Sequence, residues 1–188
     1  MAKPSGAARE RLLDQVTDHL LDAGVHDTTL RSIAAGAGTS HQLLQYHFGT
    51  REELLRAVFA KLRSSMIEDL HEIASRPGVQ LVDVWRVMSD PHPKQVLLFR
   101  CMGLTMSDPG HFGIFAADVA HDWIAAATPV LERFGVSERE AESLATLLVA
   151  TMRGLTLDLY ATRDTARVEH AVTLLQDVLE RRFPQERS

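Results

Sequence analysis

The chain has 188 residues, a formal net charge of −5 and a single cysteine, Cys101. That length forms one or two domains with a sizeable core, and one thiol excludes an intramolecular disulfide. The start MAKPSGAARER has no apolar stretch after its charges, unlike a secretory signal, and no apolar run reads as long enough and free enough of charge to span a bilayer, so a cytoplasmic protein with no membrane partner is expected.

No strand-like alternation is sustained, and apolar residues recur at helical spacing. A first helix is predicted over 7–23, with Leu12, Leu13, Val16, Leu20 and Leu21 on one stripe and Gly24 as its stop. Thr28 or Thr29 caps a short second helix over 29–36, and a third covers 40–47. Thr50 and Glu53 form a capping box that opens a long fourth helix to about Ser75. A fifth covers 79–89. Asp90-Pro91 starts a sixth that runs to Met106, and Asp108-Pro109 starts a seventh that runs to Arg133. Pro129 is expected to bend or break the seventh. Ser137 with Glu140 reads as a capping box for an eighth helix to Tyr160, and a ninth spans 165–182. The fold class is therefore all-α, with about nine helices. A head over 1–49, together with the start of helix four at 50–55, precedes a helical domain over 50–188.

Charge is uneven along the chain. Residues 1–63 hold 8 Lys/Arg against 7 Asp/Glu, and residues 64–188 hold 12 against 18. The head is less acidic than the rest but lacks a strong basic patch, so any nucleic-acid contact there depends on placement rather than bulk charge.

Helices two and three read as a helix-turn-helix. Leu30, Ile33, Ala34, Leu44 and Phe48 face a small core. Gly38 supplies the turn, where positive φ is needed. The outer face of the third helix suits a DNA groove. Gln42 and Gln45 match adenine edges, and Leu43 matches a thymine methyl. Ser40, Tyr46 and His47 suit phosphate oxygens, and Arg51 adds a cation at the next helix start. Lys3, Arg9 and Arg11 read as a basic arm.

The segment 29–59 resembles the DNA-binding head of the tetracycline-repressor (TetR) family of bacterial transcription regulators. The matching residues are Thr29, Leu30, Ile33, Ala34, Ala37, Gly38, Ser40, Leu44, Tyr46, His47, Phe48, Arg51, Glu52, Glu53 and Leu54. Thr39, His41, Gln42, Leu43 and Gln45 depart from that family's usual residues, so the scaffold is kept while the reading face differs. With Thr29 and His41, the candidate DNA contacts are Thr29, Ser40, His41, Gln42, Leu43, Gln45, Tyr46, His47 and Arg51. The resemblance implies a ligand-responsive regulator, a repressor in the first instance, that binds a palindromic operator as a homodimer.

It also implies a dimer bundle from the last two helices and a ligand pocket among the middle ones. The residues expected at the dimer interface are Leu144, Leu148, Thr151, Leu155, Val168, Val172, Leu175 and Leu179. Gly154 is placed for close helix approach. Those expected around a mainly apolar small molecule are Trp85, Met88, Phe99, Arg100, Met102, Met106, Phe115, Trp123 and Met152. Arg100, inside VLLFRCMGL, is expected to be buried against Asp118, Asp122 or a ligand's anionic group. The alternative class is an all-α enzyme or metal-binding bundle. Glu68-x-x-His71 and Asp118-x-x-His121 have the right spacing, but the full set of inward carboxylates found in di-iron bundles is missing. No cofactor, metal or catalytic residue is assigned, and Cys101 reads as a small core residue.

Overall fold

The computed structural model describes residues 6–25, 28–89, 92–107, 109–133 and 135–184, and excludes the side chains of 104, 105, 107, 109–116 and 133. Among them the chain forms nine helices and no strand: α1 Gly6–Ala23, α2 Leu30–Gly36, α3 His41–Phe48, α4 Arg51–Ala74, α5 Leu81–Ser89, α6 Pro93–Ser107, α7 Pro109–Arg133, α8 Glu138–Thr162 and α9 Thr165–Arg182.

The helix ends follow local chemistry. Gly24, Gly38, Gly49, Gly78 and Gly135 all take positive φ at helix ends or turns, where glycine avoids the steric penalty of a side chain. At α2, Thr29 accepts from Ser32 N at 3.0 Å and its own N donates to Ser32 Oγ at 2.8 Å. The Thr50–Glu53 box forms as expected: Thr50 N donates to Glu53 Oε2 at 2.8 Å, and Glu53 N donates to Thr50 Oγ1 at 3.2 Å. The Ser137–Glu140 box does not. Ser137 makes no side-chain cap bond, and its hydroxyl instead donates to Glu140 Oε2 at 2.9 Å. The other oxygen of that carboxylate accepts from Arg182 at 2.8 Å.

Pro129 neither breaks nor ends α7. Proline removes the donor that the carbonyl of residue 125 would use. The carbonyls on either side have side-chain partners: Thr128 Oγ1 donates to Ile124 O at 2.9 Å, and His71 Nε2 lies 3.2 Å from Ala126 O. The expected sixth-helix start at Asp90-Pro91 and the cap at Asp108 lie outside the described residues.

The chain divides into two compact units, Met1–Ser65 with Pro91–Ala117, and Met66–Asp90 with Asp118–Ser188. This differs from a boundary at 49/50, because α6 groups with the head. In the first unit α1 packs on α6, and Lys94 Nζ of α6 meets Ser65 Oγ at 2.8 Å. Leu12, Leu13, Val16, Leu20, Ile33, Ala34, Leu44, Phe48, Leu54, Leu55, Val58, Phe59 and Leu62 are its buried apolar residues from α1 to α4. In the second unit Trp85, Val168 and Val172 form a buried cluster, with Leu81, Val82, Met152, Leu155 and Leu159 packed against it.

One helix departs from the sequence reading of membrane potential. α8 contains an 18-residue window of mean hydropathy 1.2, apolar enough by length and composition to cross a bilayer. One such helix is weak grounds for a span, and α8 sends Ala141, Ala145 and Thr156 into the protein interior.

Gly49 gives the fold its first test. Its φ is +77°, and a Cβ there would lie 2.3 Å from Glu53 Oε2, the oxygen that closes the capping box. Gly49→Ala therefore strains the backbone and displaces the carboxylate. The variant is expected to lose more than about 1 kcal/mol of stability, read as a lower denaturant midpoint with an unchanged slope.

Candidate nucleic-acid interface

The site is built on α2, α3 and the first turn of α4. Thr39 N donates to Ala34 O at 2.9 Å across the turn, and Gly38 at φ +66° lets the chain reverse there. Ile33, Ala34, Leu44 and Phe48 are buried between the helices. α3 starts on a working cap: Ser40 is extended and its Oγ accepts from Leu43 N at 3.1 Å. With Leu44 and Phe48 held in the core, the other face of α3 turns outward. Gln42, Leu43, Gln45 and Tyr46 are exposed, and His41 and His47 are half-buried. Tyr46 and His47 meet edge to face with ring centroids 5.1 Å apart. Nδ1 of His47 is buried and makes no hydrogen bond.

The cations are placed differently from the sequence expectation. Arg51 is not an open phosphate ligand. Its Nε donates to the Thr28 carbonyl, and its Nη2 lies 3.3 Å from Thr28 Oγ1 and 3.5 Å from the Val25 carbonyl. It therefore ties the first turn of α4 to the segment entering α2. Arg9 is part of α1, with its guanidinium carbon 4.7 Å from the Phe48 ring centroid. Arg11 is exposed on α1, so neither belongs to a loose arm; Lys3 lies outside the described residues. Thr29, a candidate contact, spends its hydroxyl on capping α2. No local pattern signals this use of Arg51, since its partners, two backbone carbonyls and the Thr28 hydroxyl, lie more than twenty residues away.

Glu53 is a carboxylate held below its ordinary pKa, chiefly by the Thr50 backbone hydrogen bond. Cys101 is the opposite case. Burial pushes its thiol up to about 11, so it stays protonated at neutral pH and offers no thiolate nucleophile.

The candidate ligand residues divide between the units. Phe99 and Met102 on α6 are half-buried in the first, while Arg100 is exposed beside Gly24 and Met106 is 91% exposed. Burial of Arg100 is thus corrected: its long stem carries the charge out to solvent. Met106 is likewise too open to line an enclosed cavity within its unit. In the second unit Trp85 and Trp123 are buried and Met88 and Met152 half-buried. The side chain of Phe115 lies outside the described residues.

The expected dimer set is corrected in part. Val168 and Val172 are fully buried and Leu155 packs on their cluster, so these side chains face their own chain. Leu144, Leu148, Thr151, Leu175 and Leu179 are half-buried. The exposed apolar residues on α8 and α9 are instead Leu147, Leu157, Leu174 and Val178. Among the described residues no group of three or more His, Cys, Asp or Glu side chains is placed to hold a metal.

This arrangement defines a helix-turn-helix on an all-α chain. Residues 13–58 match the family described as bacterial regulatory proteins, tetR family. A stretch of 69 residues is 30% identical to the HTH-type transcriptional regulator BetI of Klebsiella pneumoniae (strain 342), covering 35% of each chain. The match thus spans about a third of that relative's length. The fold as a whole is similar to a transcriptional regulator of Rhodococcus sp. Rha1, at TM-score 0.68 and 21% identity over 93% of this chain and 96% of that one. It is also similar to a TetR transcriptional regulator of Legionella pneumophila, at TM-score 0.66 and 18% identity over 94% and 100%. A third similar structure is the multidrug binding protein EbrR complexed with imidazole, at TM-score 0.65 and 19% identity over 92% and 91%. The family likeness thus lies in residues 13–58, and over the rest of the chain the likeness to these regulators is one of fold.

Two measurements test the joint at Arg51 and Glu53. Arg51→Ala is expected to lower the thermal midpoint, since hydrogen bonds to charged groups contribute roughly 1.5–3 kcal/mol, whereas Gln42→Ala leaves the midpoint unchanged. For Glu53 the folded pKa is depressed. Its contribution is therefore present above the unfolded pKa and is lost as pH falls through the folded one. Glu53→Gln should flatten the acid limb of the stability curve below about pH 5, seen by chemical denaturation across that range.

Proposed function

We propose that this protein is a cytoplasmic, ligand-responsive transcription regulator, acting as a repressor, that binds a palindromic DNA operator as a homodimer and is released by a small molecule with a largely apolar body. The observation that carries the reading is the outward face of α3. It offers Gln42, Leu43, Gln45 and Tyr46 to solvent on a helix whose opposite face is locked into a core. Glutamines on such a face suit adenine edges. In this reading Arg51 and Thr29 act indirectly, by holding the α2–α3 pair in place. Tyr46 and His47 are the groups for phosphate, His41 is a further contact, and Ser40, whose oxygen caps α3, has only its hydroxyl hydrogen to offer.

A homodimer is supported by the exposed stripe on α8. Ser143, Leu147, Ala150, Gly154, Leu157 and Ala161 are all exposed, at alternating spacings of four and three residues. That is the spacing of a helix that packs along a partner helix. A Cβ at Gly154 would meet nothing within 4 Å, so the space beside this glycine is open to close approach by a second copy. Leu174 and Val178 extend the apolar surface on α9. A dimer presents two reading helices to half-sites about one DNA turn apart. A ligand that binds the DNA-free arrangement more tightly lowers operator affinity by the same factor by which DNA weakens the ligand. Similarity to a multidrug binding protein supports the ligand-binding part of this reading.

A gel shift with promoter DNA from beside the protein's own gene tests the proposal, and no shift with any flanking segment would count against it. Selection from a random DNA library refines it. Gln42→Ala and Gln45→Ala are expected to change the preferred base at one position each, by about 1–3 kcal/mol; recovery of the wild-type site by both would remove α3 as the reading element. Leu157→Asp is expected to yield monomers in sedimentation at micromolar concentration. Val172→Asp should instead unfold the second unit.

A further inference from the structure

The second unit contains a cation with no counter-charge among the described residues. Arg153, on α8, is half-buried, and its Nη2 donates to the Val119 carbonyl of α7 at 3.3 Å. Burial lowers its pKa from the ordinary arginine value, yet guanidinium stays charged in proteins. A guanidinium has five N–H donors in a planar fork, and one neutral carbonyl is a poor match for a desolvated charge.

The other arginines of this unit sharpen the contrast. Arg76, Arg86, Arg167 and Arg182 meet carboxylates at 2.9, 2.7, 2.6 and 2.8 Å, and each of those four side chains is more than half exposed. Exposed pairs of that kind add little stability. The arginine for which pairing matters most has no carboxylate among the described residues. A second donor is in the same position. Trp85 is 2% exposed, and its indole Nε1 is buried with no hydrogen-bond partner. Its ring packs in a cluster with Met152, the residue before Arg153. On α7, buried Trp123 lies one helical turn beyond Val119.

A cation held off solvent with only a neutral carbonyl for partner is matched by an anionic acceptor. We infer that the effector of this protein is an organic anion: a carboxylate head group taken by Arg153 beside the Val119 carbonyl, on an apolar body that lies against Trp123 and Met152. The inference rests on the ligand-responsive reading and names its ligand class. It runs against ammonium ligands, whose charge the half-buried guanidinium repels.

The test uses the full-length protein and three probes with one apolar body: octanoate, 1-octanol and octylamine. A second carboxylate, phenylacetate, is paired with 2-phenylethanol. Tryptophan fluorescence and melting temperature are read during titration. The carboxylates are expected to bind about 10- to 100-fold more tightly than the matched alcohols, as loss of a charge-assisted bond implies, and octylamine is expected not to bind. Arg153→Gln should remove that difference while leaving alcohol binding as it was. Arg153→Lys, which keeps the charge without the fork, should restore part of it and covers the case in which the glutamine variant folds poorly. Without ligand, Arg153→Gln should melt no lower than wild type; a marked drop would make Arg153 a structural group and overturn the inference. Equal affinity for acid and alcohol, no binding by either carboxylate, or octanoate binding unchanged in Arg153→Gln would overturn it too. Operator binding is measured in parallel. Release from DNA by a neutral alcohol alone would retain the regulator and reject the anion; octanoate binding through Arg153 with no DNA bound would do the reverse.

Discussion

The outward face of α3 depends on one joint, the passage from α3 into α4 at Gly49. Three constraints meet there within five residues. Positive φ at Gly49 turns the chain. The missing Cβ leaves room for the Glu53 carboxylate to cap the Thr50 N–H. Arg51, between them, reaches back to carbonyls at 25 and 28 and so fixes the entrance to α2 against the start of α4. A short helix such as α3 is not stable by itself. It is held by burial of Leu44 and Phe48 on one side and by this joint at its end. Its polar face therefore points outward because of these contacts, without any help from intrinsic helix propensity.

Much of this was legible in the sequence, because helix ends carry local signals. Gly38, Gly135 and the Thr50–Glu53 pair act on neighbours three or four residues away, and each appears in the structure where the pattern put it. What the sequence hid is long-range. Arg51 reads as an open cation at a helix start, and only the fold reveals that carbonyls before α2 occupy it. Ser137–Glu140 has the same spacing as a working box, yet Arg182, 42 residues away, claims the glutamate. Local grammar cannot weigh a distant competitor.

The two arginines in apolar runs make the same point. VLLFRCMGL and VATMRGLTL are alike as strings, and only Arg100 was expected to be buried. Which arginine turns inward depends on helix rotation, which packing sets. Arg100 leaves its helix toward solvent beside Gly24, whereas Arg153 lies one turn from buried Thr156 and reaches the α7 backbone. The exposed apolar stripe of α8 was obscured for a related reason. α8 carries apolar residues all round, so periodicity alone could not separate the face toward Trp85 and Val172 from the face toward solvent. Burial separates them: Leu155 belongs to the first and Leu147 and Leu157 to the second.

Charge placement then bears on how the proposed regulator would discriminate among DNA sequences. α3 carries no lysine or arginine, Arg51 is tied to the backbone, and Arg9 is stacked on Phe48. Counterion release supplies most non-specific affinity for DNA, and it scales with the number of phosphates neutralised. A reading helix with no cation of its own gains little from that source and leaves it to exposed arginines on neighbouring helices, such as Arg11 and Arg31. Its preference has to come from base edges met by Gln42, Gln45 and Leu43, and each half-site offers few of these. Two heads acting together recover affinity without adding charge, because the second half-site is bound at the effective concentration set by the first. The sparse cations of α3 and the exposed apolar stripe of α8 then support the same proposal, in which a reading helix that would be weak alone acts in pairs.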